Sequence, residues 1–450
     1  MMSHRDAGQV KSIMRFAVGD FLSQRSRTTH LQSIPVGIPL AGLLEKRLCL
    51  QSEAWMSKPV FNGDFTQQEA LPHAAIEAAE RVLKSGRLHR YNLKEGEAGE
   101  TSLLEAEYAA WQGAPYCLAT ASGAQAMQIA LRAAGVRPGQ PVLTNAFTLA
   151  PVPGAVAAVG ASPVLVEIDE NLRIDMADLV RKAETIGGST ILLSHMRGHV
   201  CDMDRLMEIA DRHKLKVIED CAHTMGAAWS GRRSGNFGIA GCFSTQTYKH
   251  MNSGEGGFLV TADPDLIARA IILSGSYMLY ARHGAGPAAE HFEAAKYEMP
   301  NMSARMDALR AAILRPQLQT LDANIQRWND RYDAVASMLS RSSRIVLPIR
   351  PEKESMASSS IQFRVPDFST DSSHAFIAAA QSRGVELKWF GRSEPHGFTS
   401  RHDSWRYMPS QQLPQTDRIL STLFDMRLPL TFTLEDCEII GKIIVETVEG

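Results

Sequence analysis

Phe243-Ser244-Thr245-Gln246-Thr247-Tyr248-Lys249-His250-Met251-Asn252-Ser253-Gly254-Glu255-Gly256-Gly257 is the stretch on which the reading of this chain turns. It sets a lysine shortly before a Gly-rich turn, with the apolar run Phe258-Leu259-Val260 behind it. A primary amine in such a place attacks aldehydes once its surroundings lower its pKa. By spacing alone the same pattern also describes an ordinary solvated loop lysine. Upstream, Val217-Ile218-Glu219-Asp220-Cys221-Ala222-His223-Thr224-Met225-Gly226-Ala227 reads as a short buried strand, Leu215 to Ile218, running into acidic and then small residues. Open α/β sheets collect ligands at the carboxyl ends of their strands. Asp220 stands at such an end. A carboxylate there can keep the ring nitrogen of pyridoxal phosphate protonated, so that the ring withdraws electrons; a plain helix cap is the alternative for Asp220. Taken together, Asp220 and Lys249 favour a pyridoxal-phosphate site.

Outward from this pair, strand-like and helix-like patterns alternate. Short apolar runs at Cys117–Thr120, Val142-Leu143, Pro163–Ile168, Ile191–Leu193 and Leu215–Ile218 read as strands. Helical spacing is present at 124–134, 148–159, 176–183 and 203–212, and earlier at 67–85 and 102–112. In the segment 67–85 the residues expected to face inward are Leu71, Ile76, Ala79, Val82 and Leu83. This rhythm predicts an α/β fold, a mostly parallel mixed sheet flanked by helices. Beyond Arg305 the pattern is helical through Tyr332, as a long connector, and then mixes strands such as 361–365 with helices such as 374–382. The division expected is an N-terminal extension over 1–58, a large cofactor-binding domain over 59–315, and a connector helix with a smaller C-terminal α+β domain over 316–450.

The 450 residues suffice for two domains and a large core. A net charge of −2 gives no reason to expect nucleic-acid binding, and no apolar run approaches the roughly 18 residues of a membrane helix. Six scattered cysteines, without CxxC or metal-ligand spacing, point to free thiols in a reducing, cytoplasmic setting and to no metal. The first residues lack the apolar core of a secretory signal. Within them, Ile34–Leu40 and Leu43–Leu48 suggest an extended arm and a short helix; an arm that wraps a partner subunit and a start codon assigned too early both stay open.

From about Pro59 to near the C-terminus the chain resembles the DegT/DnrJ/StrS family of sugar aminotransferases, among the fold type I pyridoxal-phosphate enzymes. The resemblance rests on Ala121-Ser122-Gly123-Ala124-Gln125-Ala126, Pro138–Leu143, Gly160–Val166, Ser194-His195-Met196-Arg197-Gly198, the Asp220 and Lys249 blocks, and Ser303-Ala304-Arg305-Met306 with Arg310-Ala311-Ala312. It implies a Lys249 Schiff base, with Asp220 on the ring nitrogen and His223 near the ring oxygen. The cofactor phosphate would be held by Ser122, Gly123, Ala124 and Ser244, with Asn252 shaping the cup. It further implies amino transfer from an amino acid, L-glutamate, to a keto sugar that is nucleotide-linked or phosphorylated, in a homodimer with shared sites. A sugar dehydratase or deoxygenase, in which His replaces the lysine, stays open because His250 adjoins Lys249; so does a non-catalytic ligand-binding regulator. Three departures stand out. Ala124 lacks the hydroxyl that relatives often carry. The ring that usually stacks on the cofactor falls at Leu149, with Phe147 two residues earlier. The residue that reaches the neighbouring subunit is Ser303 by strict offset, with Asn301 close by. His195 reads as structural. Residues 86–91 and 274–280, with Arg87, His89, Arg90, Tyr91 and Tyr277, are candidates for the acceptor pocket and equally for plain surface residues.

Overall fold

A computed structural model describes residues 58–450 apart from Glu95, Gly187 and Gly188. The arm and short helix expected in the N-terminal extension lie outside the described residues. The centre is a seven-stranded sheet: β1 (Tyr116–Thr120), β2 (Pro141–Asn145), β3 (Ser162–Val166), β4 (Thr190–Ser194), β5 (Lys216–Asp220), β8 (Ala240–Ser244) and β9 (Gly257–Thr261), in the order β1-β9-β8-β5-β4-β2-β3. The short strands β6 (Ala228–Trp229) and β7 (Arg232–Arg233) form a hairpin between β5 and β8. Only β9 runs against its neighbours in the large sheet. Its strands are short apolar runs because helices cover both faces. Alternate residues therefore enter different cores: Cys117, Leu143, Ile191, Leu193 and Val217 pack on one side, and Leu118, Val142, Leu192 and Ile218 on the other.

The intervening helices begin where side chains satisfy free N–H groups. Ser122 Oγ accepts from Gln125 N–H at 3.2 Å to start the helix Gly123–Ala133, and Asp202 accepts from Arg205 N–H at 3.1 Å to start Met203–His213. Two boundaries differ from the sequence expectation. The helix expected from 148 starts at Pro151, whose fixed φ suits the first turn. The connector is two helices, Ala308–Leu318 and Leu321–Leu339, rather than one.

The early helix spans His73–Ser85 and buries Ala75, Ala78 and Val82, the last two against Ala308 and Ala312, while Ile76 and Leu83 are exposed. Small residues let the two helices approach closely; Val82 faces inward as expected, whereas Ile76 and Leu83 lie on the open face.

Residues near the C-terminus build a separate three-stranded antiparallel sheet, Ser360–Arg364, Leu423–Arg427 and Lys388–Trp389, with the middle segment Leu423–Arg427 paired to both others. Its core joins Phe363, Phe376 and Phe424 to Tyr332 of the connector and Ile440 of the last helix, Leu434–Glu449.

Candidate active site

The carboxyl ends of β1, β2, β4, β5 and β8 point to the same edge of the sheet, and there a cavity of about 290 Å³ opens. It is lined by Ser122, Gly123, Ala124, Asp220, His223, Ser244 and Lys249, with Met127, Leu149, Val152 and Met196 as its apolar wall. Segments spread over more than a hundred residues thus converge on one cavity.

Ser122 caps the helix Gly123–Ala133, so the first N–H groups of that helix face the cavity with no intrahelical partner. This is a ready anion site. Two glycines let the backbone close around it. A Cβ on Gly123 would lie 2.9 Å from Ser244 Cβ, and one on Gly257 would lie 2.5 Å from Phe243 O and 2.6 Å from Gly123 N. The Gly-rich turn after Lys249 is therefore a packing requirement as well as a loop.

Asp220 is buried at the end of β5. One carboxylate oxygen accepts from Ser194 Oγ at 2.8 Å and the other from Ala222 N–H at 3.2 Å, both neutral donors. Ser194 is itself fixed: Thr148 Oγ1 donates to its hydroxyl at 2.8 Å, and its N–H donates to Asn145 Oδ1 at 2.8 Å. Burial raises the Asp220 carboxyl above its usual range, against the pull of Ser194 and the Ala222 N–H. The neighbouring Glu219 points the opposite way. Burial works to raise it, but His195 and the N–H groups of Gly235 and Gly238 hold it below its usual range. His195 is thereby a structural residue, 3.1 Å from Glu219 through Nε2.

Lys249 Nζ lies 2.7 Å from His223 Nε2. Burial, and then the Arg197 guanidinium, bring the amine down from 10.5 to about 7, although Asp220 works to raise it. Burial and the nearby cations hold His223 well below its usual value, so it is neutral. A half-neutral amine beside a neutral imidazole is a nucleophile near pH 7. His250 turns the other way. Its Nε2 is 3.1 Å from Ala357 O, its ring meets Trp328 edge-on at 5.0 Å, and burial lowers it to about 4. The side chain presented to the cavity is the lysine.

Two residues expected at the site lie elsewhere. Phe147 packs edge-on against Phe390 at 5.1 Å in a separate apolar cluster, and it is Leu149 that lines the cavity. The chain leaves β2 by a turn that points Phe147 down between the sheet and the C-terminal segment. Asn252 lies across the lysine turn, its N–H donating to Gln317 Oε1 at 2.9 Å and its Oδ1 accepting from Gly254 N–H. Asn301 and Ser303 are exposed and bonded to each other, while Arg305 donates to Gly275 O at 2.8 Å.

Of the expected acceptor residues, Arg90 and Tyr91 are buried. Arg90 forms a bidentate pair with Glu105, at 2.7 and 2.9 Å, and Tyr91 Oη is 3.1 Å from His283 Nδ1. Sequence reasoning missed Ser194 as the anchor of Asp220, and missed Arg197, Lys388 and Arg427, which stand together beside Lys249. The left-handed backbone of Arg197, at φ 56°, is legible only in three dimensions.

Among proteins of known activity, the chain is 36% identical over 263 residues to the dTDP-3-amino-3,4,6-trideoxy-alpha-D-glucose transaminase of Streptomyces venezuelae, a match covering 58% of this chain and 62% of that protein. It is 34% identical over 267 residues to the L-glutamine:2-deoxy-scyllo-inosose aminotransferase of Micromonospora echinospora, covering 59% and 62%. The chain thus spans about three-fifths of the length of the curated relatives it matches. The crystal structure of S. venezuelae DesV superposes with a TM-score of 0.70 at 27% identity, over 84% of this chain and 94% of that one. The model of the DegT/DnrJ/EryC1/StrS aminotransferase family matches residues 71–445, and to that family the chain belongs.

Proposed function

We propose that this protein is an aminotransferase that moves an amino group from an amino acid to a keto sugar, with Lys249 as the catalytic amine. The observation that carries this is Asp220, a buried carboxylate held by two neutral donors and facing a cavity that also presents a lysine amine lowered to about 7. A buried carboxylate whose hydrogen-bond donors are all neutral is costly to ionise. Asp220 would hold the ring nitrogen of pyridoxal 5′-phosphate, the cofactor of this family, and would keep it protonated. The close-packed glycines at 123 and 257 and the open first turn of the helix after Ser122 suit its phosphate, with Ser244 alongside. The apolar wall at Leu149 and Met196 suits its ring.

The bound cofactor supplies a carbonyl for amine capture and an electron-withdrawing ring. The chain does the rest. Lys249, poised between its two protonation states, takes and returns the proton of the donor carbon. His223 fixes the direction of its amine. Asp220, held by the chain Thr148–Ser194, keeps a positive charge in place on the cofactor side. The expected donor is L-glutamate, with the L-glutamine of the named relative as its direct competitor.

We also read the protein as a cytoplasmic homodimer with a large cofactor domain and a smaller C-terminal one. No described helix is long and apolar enough to cross a membrane, and the five described cysteines are free and buried. Exposed Tyr277 and Met278 follow residues 273–274, which hydrogen-bond to 302–304, and Arg305 lies over the Tyr277 ring, a surface suited to a second copy. Light scattering that gave a monomer mass would refute the dimer.

Borohydride reduction of the cofactor-loaded protein, followed by peptide mapping, tests the catalytic reading. The cofactor should be fixed on Lys249, and L-glutamate or L-glutamine should be converted to its 2-oxo acid. Label on another lysine, or turnover by Lys249→Ala, would refute it.

A further inference from the structure

Behind Asp220 stands a row of hydroxyls that does more than hold it in place. Ser194 and Asp220 end the neighbouring parallel strands β4 and β5 in register, so their side chains leave the sheet on the same face. Ser194 Oγ has one proton to give, and the carboxylate takes it at 2.8 Å. Its lone pairs are then free to accept, and Thr148 Oγ1 donates to them at 2.8 Å. Both hydroxyl protons therefore point the same way, towards Asp220. Among the described residues no other side chain donates to that carboxylate; its remaining donor is the Ala222 N–H at 3.2 Å.

The row is fixed at its base. β2 and β4 pair at Leu143 and Ile191, and beyond that pair the Asn145 amide bridges them. Asn145 Nδ2 donates to Ser194 O at 3.0 Å and to Phe147 O at 2.9 Å, and its Oδ1 accepts from Ser194 N–H at 2.8 Å. One side chain thus holds the backbone on both sides of the Thr148–Ser194 contact. Asn145, Thr148, Ser194 and Asp220 are all buried. In such a setting aligned hydroxyls polarise one another, so Thr148 strengthens the bond that Ser194 makes.

A hydrogen bond to the ionised form of an acid favours that form. The other titratable groups around Asp220 make no hydrogen bond to it. Lys249 and His195 act through space, Glu219 is bound to His195, His223 is neutral, and burial keeps Cys221 and Cys242 as thiols. With the family's cofactor in the cavity, one proton is shared between Asp220 and the ring nitrogen. On the nitrogen it leaves a carboxylate and a cationic ring; on Asp220 it leaves a neutral acid and a neutral ring. We propose that Ser194 and Thr148 are positioning residues whose aligned hydroxyls keep Asp220 ionised, and so keep the shared proton on the ring nitrogen. This rests on the aminotransferase reading of the same site.

The position of the proton, rather than turnover, tests this. Cofactor enriched in nitrogen-15 at the ring is bound to the native protein and to Ser194→Ala, Thr148→Val and Ser194→Thr. Its nitrogen resonance, which separates a protonated ring from a bare one, is read by NMR at neutral pH. The native ring should be protonated. Ser194→Ala should move the balance about tenfold or more towards a bare ring, as expected when a hydrogen bond to a charged group is lost. Thr148→Val should move it less and in the same direction. Ser194→Thr, which keeps the hydroxyl, should stay close to native.

A merely structural role would weaken cofactor binding without moving the nitrogen. A bare ring in the native protein, a nitrogen unmoved in both Ser194→Ala and Thr148→Val, or one moved as far by Ser194→Thr as by Ser194→Ala would overturn the proposal. Thr148→Val leaves Ser194 and the carboxylate in place, so it keeps the test alive if Ser194→Ala fails to fold. Borohydride labelling separates the two readings. Lys249 unlabelled sinks the aminotransferase assignment, whereas Lys249 labelled with the nitrogen unmoved sinks only the hydroxyl row.

Discussion

Replacing Lys249 with methionine should make the cofactor-free protein more stable, and by an amount that depends on pH. A buried amine with a folded-state value of about 7, against an ordinary 10.5, resists protonation in the fold. At roughly 1.36 kcal/mol per pH unit, that difference is worth about 5 kcal/mol. The sign follows from proton binding. Below pH 7 the amine is charged in both folded and unfolded chains, and the whole penalty weighs on the fold. Between pH 7 and 10.5 the unfolded chain holds a proton that the folded one does not, so stability rises with pH. Above 10.5 the penalty is gone. Methionine carries no charge and fills similar space, but it forfeits the 2.7 Å contact with His223, worth ~1 kcal/mol. The net gain expected is about 4 kcal/mol at pH 6, falling to about 2 kcal/mol at pH 8.5. Urea unfolding of both apoproteins at pH 6, 7.5 and 8.5 measures it. A variant no more stable than the native protein at pH 6, or a gain that does not shrink as pH rises, would refute the burial argument. Stability given up at the proposed catalytic amine is the trade-off expected of a catalytic site.

Glu105→Gln should destabilise the fold by about 3–5 kcal/mol in urea, because it strips the buried Arg90 of its partner. Burial works to raise Glu105, but Arg90 and His283 bring it from 4.5 to about 2. The native protein should therefore lose this stabilisation as pH falls from about 4.5 towards 2, and the variant should lack that part of its acid sensitivity. Gly257→Ala must push β9 away from the Ser122 loop, so cofactor affinity should fall by tenfold or more, as fluorescence titration of the apoprotein would read. Phe147→Ala should cost about 3–5 kcal/mol of stability with little change in cofactor affinity, whereas Leu149→Ala should weaken cofactor binding more than folding. Equal effects of the two on cofactor affinity would refute the placement of Leu149 on the cavity wall.

The strand and helix rhythm was legible because it is local. Alternation of side chains across a strand, and the short apolar runs of strands covered on both faces, are properties of a few consecutive residues. Cys117 and Leu118 enter opposite cores for that reason alone. The Lys249 turn and the acidic end of β5 were legible for a related reason. The carboxyl edge of such a sheet is where ligands collect, so a lysine and an aspartate at two strand ends meet there whatever the loops do.

Which of two near neighbours faces that edge was not local. Phe147 and Leu149 differ by two residues, and a turn after β2 together with the packing of Phe390 against Phe147 gives the cavity to Leu149. Asn252 was displaced for the same kind of reason, because Gln317 of the connector captures its backbone across the lysine turn. Arg90 looked like a ligand-binding arginine until Glu105 took its guanidinium inside the fold. The grouping of Arg197, Lys388 and Arg427 beside Lys249 had no sequence signal. Arg197 sits on a left-handed turn after β4, while Lys388 and Arg427 come from the C-terminal sheet, and only the packing of that sheet brings the three around one small space. The sequence alone determined the sheet, the lysine and the carboxylate, because each is written in neighbouring residues. The tertiary structure decided which side chains surround them, because that depends on contacts between segments far apart in the chain.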